Sequence, residues 1–255
     1  MVDLIIQGKR LNGIDLVIFD KDGTLFELFP YWTVVAHRRA ENICHRIHED
    51  NHGALVEWIM TLMGVNIQNR SMNPEGPIGI FNRTYIENLI VIELQKQGYP
   101  VNAQIVADAF QETDIYISDN EILRQSLVTV RGLLFFLQSI SLQCQCAIFS
   151  YDQTINLKHI TQLMGMESYF SLLLGGDKIL HPKPDPWGAV KIMQDLDVSA
   201  DRTILIGDSI HDIESGRKAG CHYVITRRSD ISDLPRMTPL SDFIIRDYTE
   251  ITVGN

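Results

Sequence analysis

No apolar run in this chain approaches the length needed to cross a bilayer: the longest, Leu133 to Leu137, is one short stretch, whereas a spanning helix needs about 20 residues. Met1 to Gly13 has neither a basic leader nor a long apolar centre, so no secretory signal is read and a soluble, cytoplasmic protein is expected. Cysteine is scarce, and Cys44, Cys144, Cys146 and Cys221 follow neither a zinc-like nor a disulfide-framework spacing. Cys144 and Cys146 alternate on an expected strand, so both should face one side as reduced core residues. Positive charge is scarce too. With 22 Lys and Arg against 32 Asp and Glu, the formal net charge is -10, which argues against the basic stripe of a nucleic-acid binder. Arg38-Arg39 and Arg227-Arg228 are isolated doublets, expected to be solvated. Internal repeats and low-complexity tracts are lacking as well.

What is present is a globular composition. At 255 residues, 45% hydrophobic and 21% charged, the chain can bury a real core and make one large domain or two modest ones. Val2 to Ile6 reads as a short strand, followed by turn signals at Gly8-Lys9-Arg10 and Asn12-Gly13. After Leu25 apolar residues recur at helical spacing over Trp32 to Glu49, Gly53 to Met63, Phe81 to Gln97 and Asn102 to Tyr116. Asn73-Pro74-Glu75-Gly76-Pro77 forbids a continuous helix between the second and third of these. From about Leu123 helix and strand alternate. Helices are expected at Arg131 to Ile140, Thr154 to Met164, Pro184 to Leu196 and Ile210 to Ala219. Strands are expected at Gln143 to Ser150, Ser171 to Leu174, Thr203 to Gly207, His222 to Thr226 and Ser241 to Ile245. Such alternation predicts an α/β fold, a Rossmann-like parallel sheet with helices on both faces. The expected division is a core of residues 1–25 and 121–255 and an inserted helical domain of residues 26–120.

The stretch Ile14 to Leu25 organises the rest. An apolar, β-branched run too short for a typical helix stops abruptly at Asp20-Lys21-Asp22-Gly23-Thr24. In an open parallel sheet ligands collect outside the carboxyl ends of strands, where Asp20 and Asp22 would face one pocket and Lys21 would point elsewhere. Asp208 and Asp212 are spaced so that a helix starting at Ser209 keeps their carboxylates close. If the strands before Asp20 and Asp208 are neighbours, four acids converge, and packed like charges need protons or a cation. A hard divalent ion with oxygen ligands, such as Mg²⁺, suits such a cluster. Asp20 is the candidate nucleophile. Asp22 is the candidate general acid and base. Read singly, Asp22-Gly23 is a turn, Gly207-Asp208-Ser209 a helix cap and Lys183 a loop lysine; their combination points to a site.

The pentad behind its strand resembles the first motif of the haloacid dehalogenase superfamily in its phosphatase version. Ile148-Phe149-Ser150, His181-Pro182-Lys183-Pro184-Asp185-Pro186 and Ile206-Gly207-Asp208-Ser209-Ile210-His211-Asp212 follow in the family's order. The pattern is similar to the phosphoglycolate phosphatase-like group, whose helical cap follows the first motif. The resemblance implies Mg²⁺ held by the side chains of Asp20 and Asp208 and the backbone carbonyl of Asp22, with Asp212 in support. It also implies phosphate binding by Thr24, Ser150 and Lys183, and a small phosphorylated metabolite as substrate. Tyr151-Asp152 departs from the family, many of whose members carry Asn after the Ser, which leaves the role of Tyr151 open.

The insertion would close over the site as a lid, with Arg70, Asn73, Glu75 and Arg83 as candidates to reach substrate. Tyr31 and Trp32 are expected to pack, and His37, His45 and His48 to serve a surface or hinge role. A monomer or homodimer fits the apolar spacing. A phosphosugar mutase would use the same Asp20 and Asp22, and a non-catalytic interaction module on this scaffold is a further alternative. A dehalogenase has no obvious need of Asp22.

Overall fold

Two segments, Met1–Glu27 and Thr129–Asn255, form one compact unit, and Leu28–Val128 forms a second. The computed structural model describes residues 1–48, 53–79 and 81–254.

The first unit is built on a parallel sheet of six strands. In chain order these are β3 (Leu16–Phe19), β6 (Gln145–Phe149), β7 (Leu172–Leu174), β8 (Thr203–Gly207), β9 (Tyr223–Arg227) and β10 (Phe243–Ile245), lying side by side as β10-β9-β8-β3-β6-β7. Strand β3 is central and wholly buried, with Leu16 opposite both Gln145 and Thr203 and Phe19 opposite both Ile148 and Ile206. Its continuous apolar run follows from burial of both faces. Leu16 and Ile18 pack with Ala189, Ile192 and Met193 of helix α8 (Trp187–Asp195) and Ile213 of α9 (Ile210–Lys218). Phe19 faces the other way, its ring 6.3 Å from Phe136 of α6 (Leu133–Ile140) and 6.1 Å from Tyr248. The remaining helices of this unit are α7 (Thr154–Leu163) and the short α10 (Leu234–Met237). The alternation therefore yields the expected parallel α/β core.

Two strands of this unit, β2 (Lys9–Ile14) and β11 (Ile251–Gly254), lie outside those expected from the sequence. β1 (Val2–Ile6) is an expected strand, but it sits between β2 and β11 in a separate antiparallel sheet. β2 was expected as a turn because Lys9, Arg10 and Asn12 give it no apolar alternation; cross-strand pairing with β1 overrides that local signal. Helix α8 starts later than expected, with Pro186 rather than Pro184 at its cap. Cys144 and Cys146 are buried and free, as are Cys44 and Cys221.

The second unit holds α1 (Leu28–Arg46), α2 (Gly53–Leu62), α3 (Arg83–Lys96), α4 (Ala103–Ile117) and α5 (Asn120–Ser126). Of the helix expected over Trp32 to Glu49, Glu49 lies outside the described residues. Helix α1 packs on α2 and α4, burying Val35, Ala36, Ala40 and Ile43 along one face. The side chains of Asn82, Asn102 and Asp119 accept hydrogen bonds from the first turns of α3, α4 and α5. Within the glycine- and proline-rich break, β4 (Val65–Asn66) pairs with β5 (Ser71–Met72). The unit runs beyond residue 120 to Val128 because α5 packs against α1 and α4. Among the described residues no helix is long and apolar enough to cross a membrane.

Adjacent phenylalanines of α6 separate core from surface. Phe136→Ala should cost about 3–5 kcal/mol. Phe135→Ala, at a side chain 79% exposed, should stay within about 0.5 kcal/mol of the parent. Urea denaturation of the two variants checks both values.

Candidate active site

The loop after β3 is a tight turn. The amides of Thr24, Leu25 and Phe26 all donate to the Lys21 carbonyl, at 3.3, 2.8 and 3.2 Å, and Gly23 takes φ +76°. A Cβ on Gly23 would lie 1.9 Å from Asp208 Oδ2, so glycine serves both the left-handed backbone and the approach of that carboxylate. At the end of β8, a Cβ on Gly207 would lie 2.2 Å from Asp212 Cβ, and its absence lets Asp212 fold against the strand end. Strands β3 and β8 are neighbours, and each of Asp20, Asp208 and Asp212 offers a carboxylate oxygen within 4.8 Å of the others.

Lys183 joins two of these acids. Its buried Nζ donates to Asp20 Oδ1 at 2.7 Å, Asp212 Oδ1 at 2.6 Å and the Phe149 carbonyl at 2.7 Å, using all three ammonium donors. The Tyr151 hydroxyl donates to the Lys183 carbonyl at 2.7 Å, which gives that open residue a place in holding the lysine's loop. Ser150 follows β6 and is buried, its Oγ accepting the Asp152 amide at 3.2 Å. Thr24 is buried as well, and its hydroxyl has no hydrogen-bond partner. Asp212 also closes the capping box of α9 with Ser209, so the helix-cap reading of this segment holds alongside the acid cluster.

Burial dominates the electrostatics. It pushes Asp20 up to about 7, against the pull of Lys183 and with the help of Asp212. Burial, with Asp20 and Asp212 beside it, drives Asp208 well above the usual carboxylate range. Asp22 is raised by burial in spite of Lys21. Burial opposes the charge on Lys183, but Asp20 and Asp212 outweigh it and hold the ammonium above its ordinary value. Three crowded carboxylates thus face one ammonium, and their donor set is all hard oxygen. That chemistry fits a small divalent cation such as Mg²⁺, with Asp20, Asp208 and Asp212 as the side chains that would hold it.

Several residues of the site carried no readable signal. Lys21, expected to point away, is buried with its Nζ 3.1 Å from Asp22 Oδ2 and 2.9 Å from Asp152 Oδ2. Arg227, expected to be solvated, is buried and donates to the Gly23 carbonyl at 2.9 Å and to Glu27 at 2.5 Å. Only the strand before it hinted that this residue would reach the same sheet edge. Ser229 donates to Asp208 Oδ2 at 2.6 Å and Ser232 to the Asp208 carbonyl at 2.7 Å; nothing in the sequence marks either serine. Arg39 also departs from expectation, buried with its guanidinium 4.0 Å from the Phe110 ring centre.

The four substrate candidates belong to the helical unit. Asn73 is a turn residue, its amide donating to the Gly64 carbonyl at 2.7 Å and its Oδ1 accepting from Glu75 N at 3.1 Å. Glu75 and Arg70 are exposed, the latter at φ +50°. Arg83 pairs with Glu87 at 2.7 Å and with Asp114.

The chain is similar in sequence and in fold to known proteins. The phosphoglycolate phosphatase of Aquifex aeolicus is 33% identical over 63 residues, 25% of this chain and 30% of that protein. The pyrophosphatase PpaX of Oceanobacillus iheyensis is 33% identical over 92 residues, 35% of this chain and 42% of that protein. The chain thus spans well under half the length of these curated relatives. The solved structure of a predicted phosphoglycolate phosphatase from Haemophilus somnus superposes with a TM-score of 0.70 at 17% identity, over 94% of this chain and 97% of that one, which speaks to the fold. The family model for haloacid dehalogenase-like hydrolases matches residues 14–220, from the strand that delivers Asp20 to the glycine that ends α9, and the chain belongs to that family.

Proposed function

We propose that this chain is a Mg²⁺-dependent phosphatase that hydrolyses a small phosphomonoester through an aspartyl-phosphate on Asp20. The observation that carries the reading is the meeting of Asp20, Asp208, Asp212 and Lys183 at the carboxyl ends of adjacent strands. The name of one matched relative, a phosphoglycolate phosphatase, supports a phosphomonoester, and that of the other, a pyrophosphatase, supports a small phosphorylated substrate more broadly. Four buried free thiols suit a reducing compartment, in keeping with a cytoplasmic location.

The residues divide the work. A carboxylate oxygen of Asp20 attacks phosphorus while Asp22 gives its proton to the departing ester oxygen, so that an alcohol leaves and Asp22 becomes a carboxylate. Asp22 then takes a proton from the water that attacks the aspartyl-phosphate, which releases phosphate and restores both acids. Burial favours the protonated form of Asp22 with which the cycle begins. Lys183, fixed by three hydrogen bonds, offsets charge on the phosphoryl oxygens. Ser150 Oγ accepts the Asp152 amide, which leaves its own proton for a phosphoryl oxygen, and the partnerless Thr24 hydroxyl is a second donor. Bound Mg²⁺ would supply further positive charge to the phosphoryl group.

A phosphate-release screen over small phosphorylated metabolites and an aryl phosphate should show turnover that EDTA abolishes and Mg²⁺ restores. Asp20→Asn should lower it by on the order of 10³-fold or more. A folded Asp20→Asn variant with full activity would reject the nucleophile, and sugar-phosphate isomerisation without phosphate release would make the enzyme a mutase.

Asp208→Asn removes one of the mutually repelling acids. In EDTA it should therefore melt no lower than the parent, yet lose the stabilisation that Mg²⁺ gives the parent, about 2.7 kcal/mol at one hundred times Kd. Thermal melts with and without Mg²⁺ read both effects.

A further inference from the structure

We propose that Lys21 and Asp152 form a positioning pair that fixes the Asp22 carboxyl group for proton transfer to the leaving oxygen. This rests on the reading of Asp22 as general acid and assigns a role to two residues outside it.

Lys21 is only 3% exposed although it sits between two acids on a turn. A buried ammonium persists where it is paired, and Lys21 Nζ lies 2.9 Å from Asp152 Oδ2 and 3.1 Å from Asp22 Oδ2. Asp152 is itself held fast. Its Oδ1 accepts from Asn156 Nδ2 at 2.9 Å and from the Gln153 amide at 2.8 Å, and its carbonyl accepts the Gly176 amide at 2.8 Å. A continuous line of contacts therefore runs from the start of α7 through Asp152 and Lys21 to Asp22.

An ammonium donates and never accepts. Asp22 Oδ2, against Lys21, is the accepting oxygen, and Oδ1 is the oxygen left to carry the transferable proton. In the first step Asp22 Oδ1–H gives that proton to the bridging ester oxygen as the P–O bond breaks and the Asp20 O–P bond forms. The products are an alcohol, an aspartyl-phosphate and an Asp22 carboxylate whose new charge faces Lys21. Lys21 does not reach substrate itself, because its ammonium is buried between the two carboxylates.

A general acid matters most when the leaving group is poor, so the test is kcat/KM on two Mg²⁺-loaded reactions: an alkyl phosphate and dinitrophenyl phosphate. Lys21→Met should lose about 10- to 100-fold on the alkyl ester and less than about threefold on the dinitrophenyl ester. Asp152→Asn, at a partly exposed position that keeps the hydrogen-bonding shape, should show the same skew with a smaller loss and guards against a Lys21 variant that fails to fold. Asp22→Asn, measured on the same two esters, reports the underlying reading. If it shows the skew while the Lys21 and Asp152 variants lose activity evenly or not at all, the positioning pair is overturned and the general acid stands. If Asp22→Asn loses both esters equally, the general-acid reading falls and the pair falls with it.

Discussion

The ammonium of Lys183, donating at once to Asp20, Asp212 and the Phe149 carbonyl, is the contact on which the acid cluster depends. Carboxylates taken out of water repel one another and are poorly solvated, which is why burial lifts Asp20 and Asp208 so far above the usual range. One buried cation on a loop after β7 partly offsets that repulsion and ties the ends of β3 and β6 to the first turn of α9. The parallel sheet makes this arrangement possible. With β3 between β6 and β8 in register, the residues that follow Phe19, Phe149 and Gly207 emerge along one edge.

Support for the cluster comes from beneath and beside it. Arg227 reaches from the end of β9 to the Gly23 carbonyl, and Tyr248 donates to the Thr24 carbonyl at 3.1 Å while stacking on Phe136. The loop that follows Asp20 is therefore pinned through its backbone by two buried side chains distant in sequence. Ser229 and Ser232 do the same for Asp208, one through its carboxylate and the other through its carbonyl. A carboxylate held on several sides has little rotamer freedom left, which is what a positioned nucleophile or ligand requires.

The helical unit has its own electrostatic centre. Arg39 lies over Phe110 with Asp114 at 3.9 Å, and Arg83 joins Asp114 and Glu87. Burial lowers Arg39 to about 10 despite Asp114, the mark of a guanidinium held by packing as much as by charge. Arg39 was expected to be solvated because a doublet of arginines on a helix gives no sign of which one turns inward. The neighbouring Arg38 instead lies over Tyr116, 3.8 Å from its centre.

Local chemistry alone announced much of this protein. The apolar run ending at Phe19 can be satisfied only by burial on both faces, and the alternation after Leu123 leaves few arrangements other than a parallel sheet. Asp20, Asp22, Lys183, Asp208 and Asp212 stand out only in combination: each segment alone reads as a turn, a cap or a loop, whereas acids at the ends of two neighbouring strands converge and need a compensating cation. Tertiary structure decided what depends on distant partners. β2 exists through pairing with β1 and its own residues carry no apolar alternation, whereas β11, with its β-branched Ile251-Thr252-Val253, finds its partner only when the far end of the chain is brought against β1. Lys21, Asp152, Ser229 and Ser232 in loops, and Arg227 at the end of β9, carry no mark of a site until folding brings each within hydrogen-bond reach of an acid or its loop. Periodicity records which face of an element meets the core, whereas a hydrogen bond between residues 131 or 204 positions apart leaves no periodic trace for a reader of the chain to find.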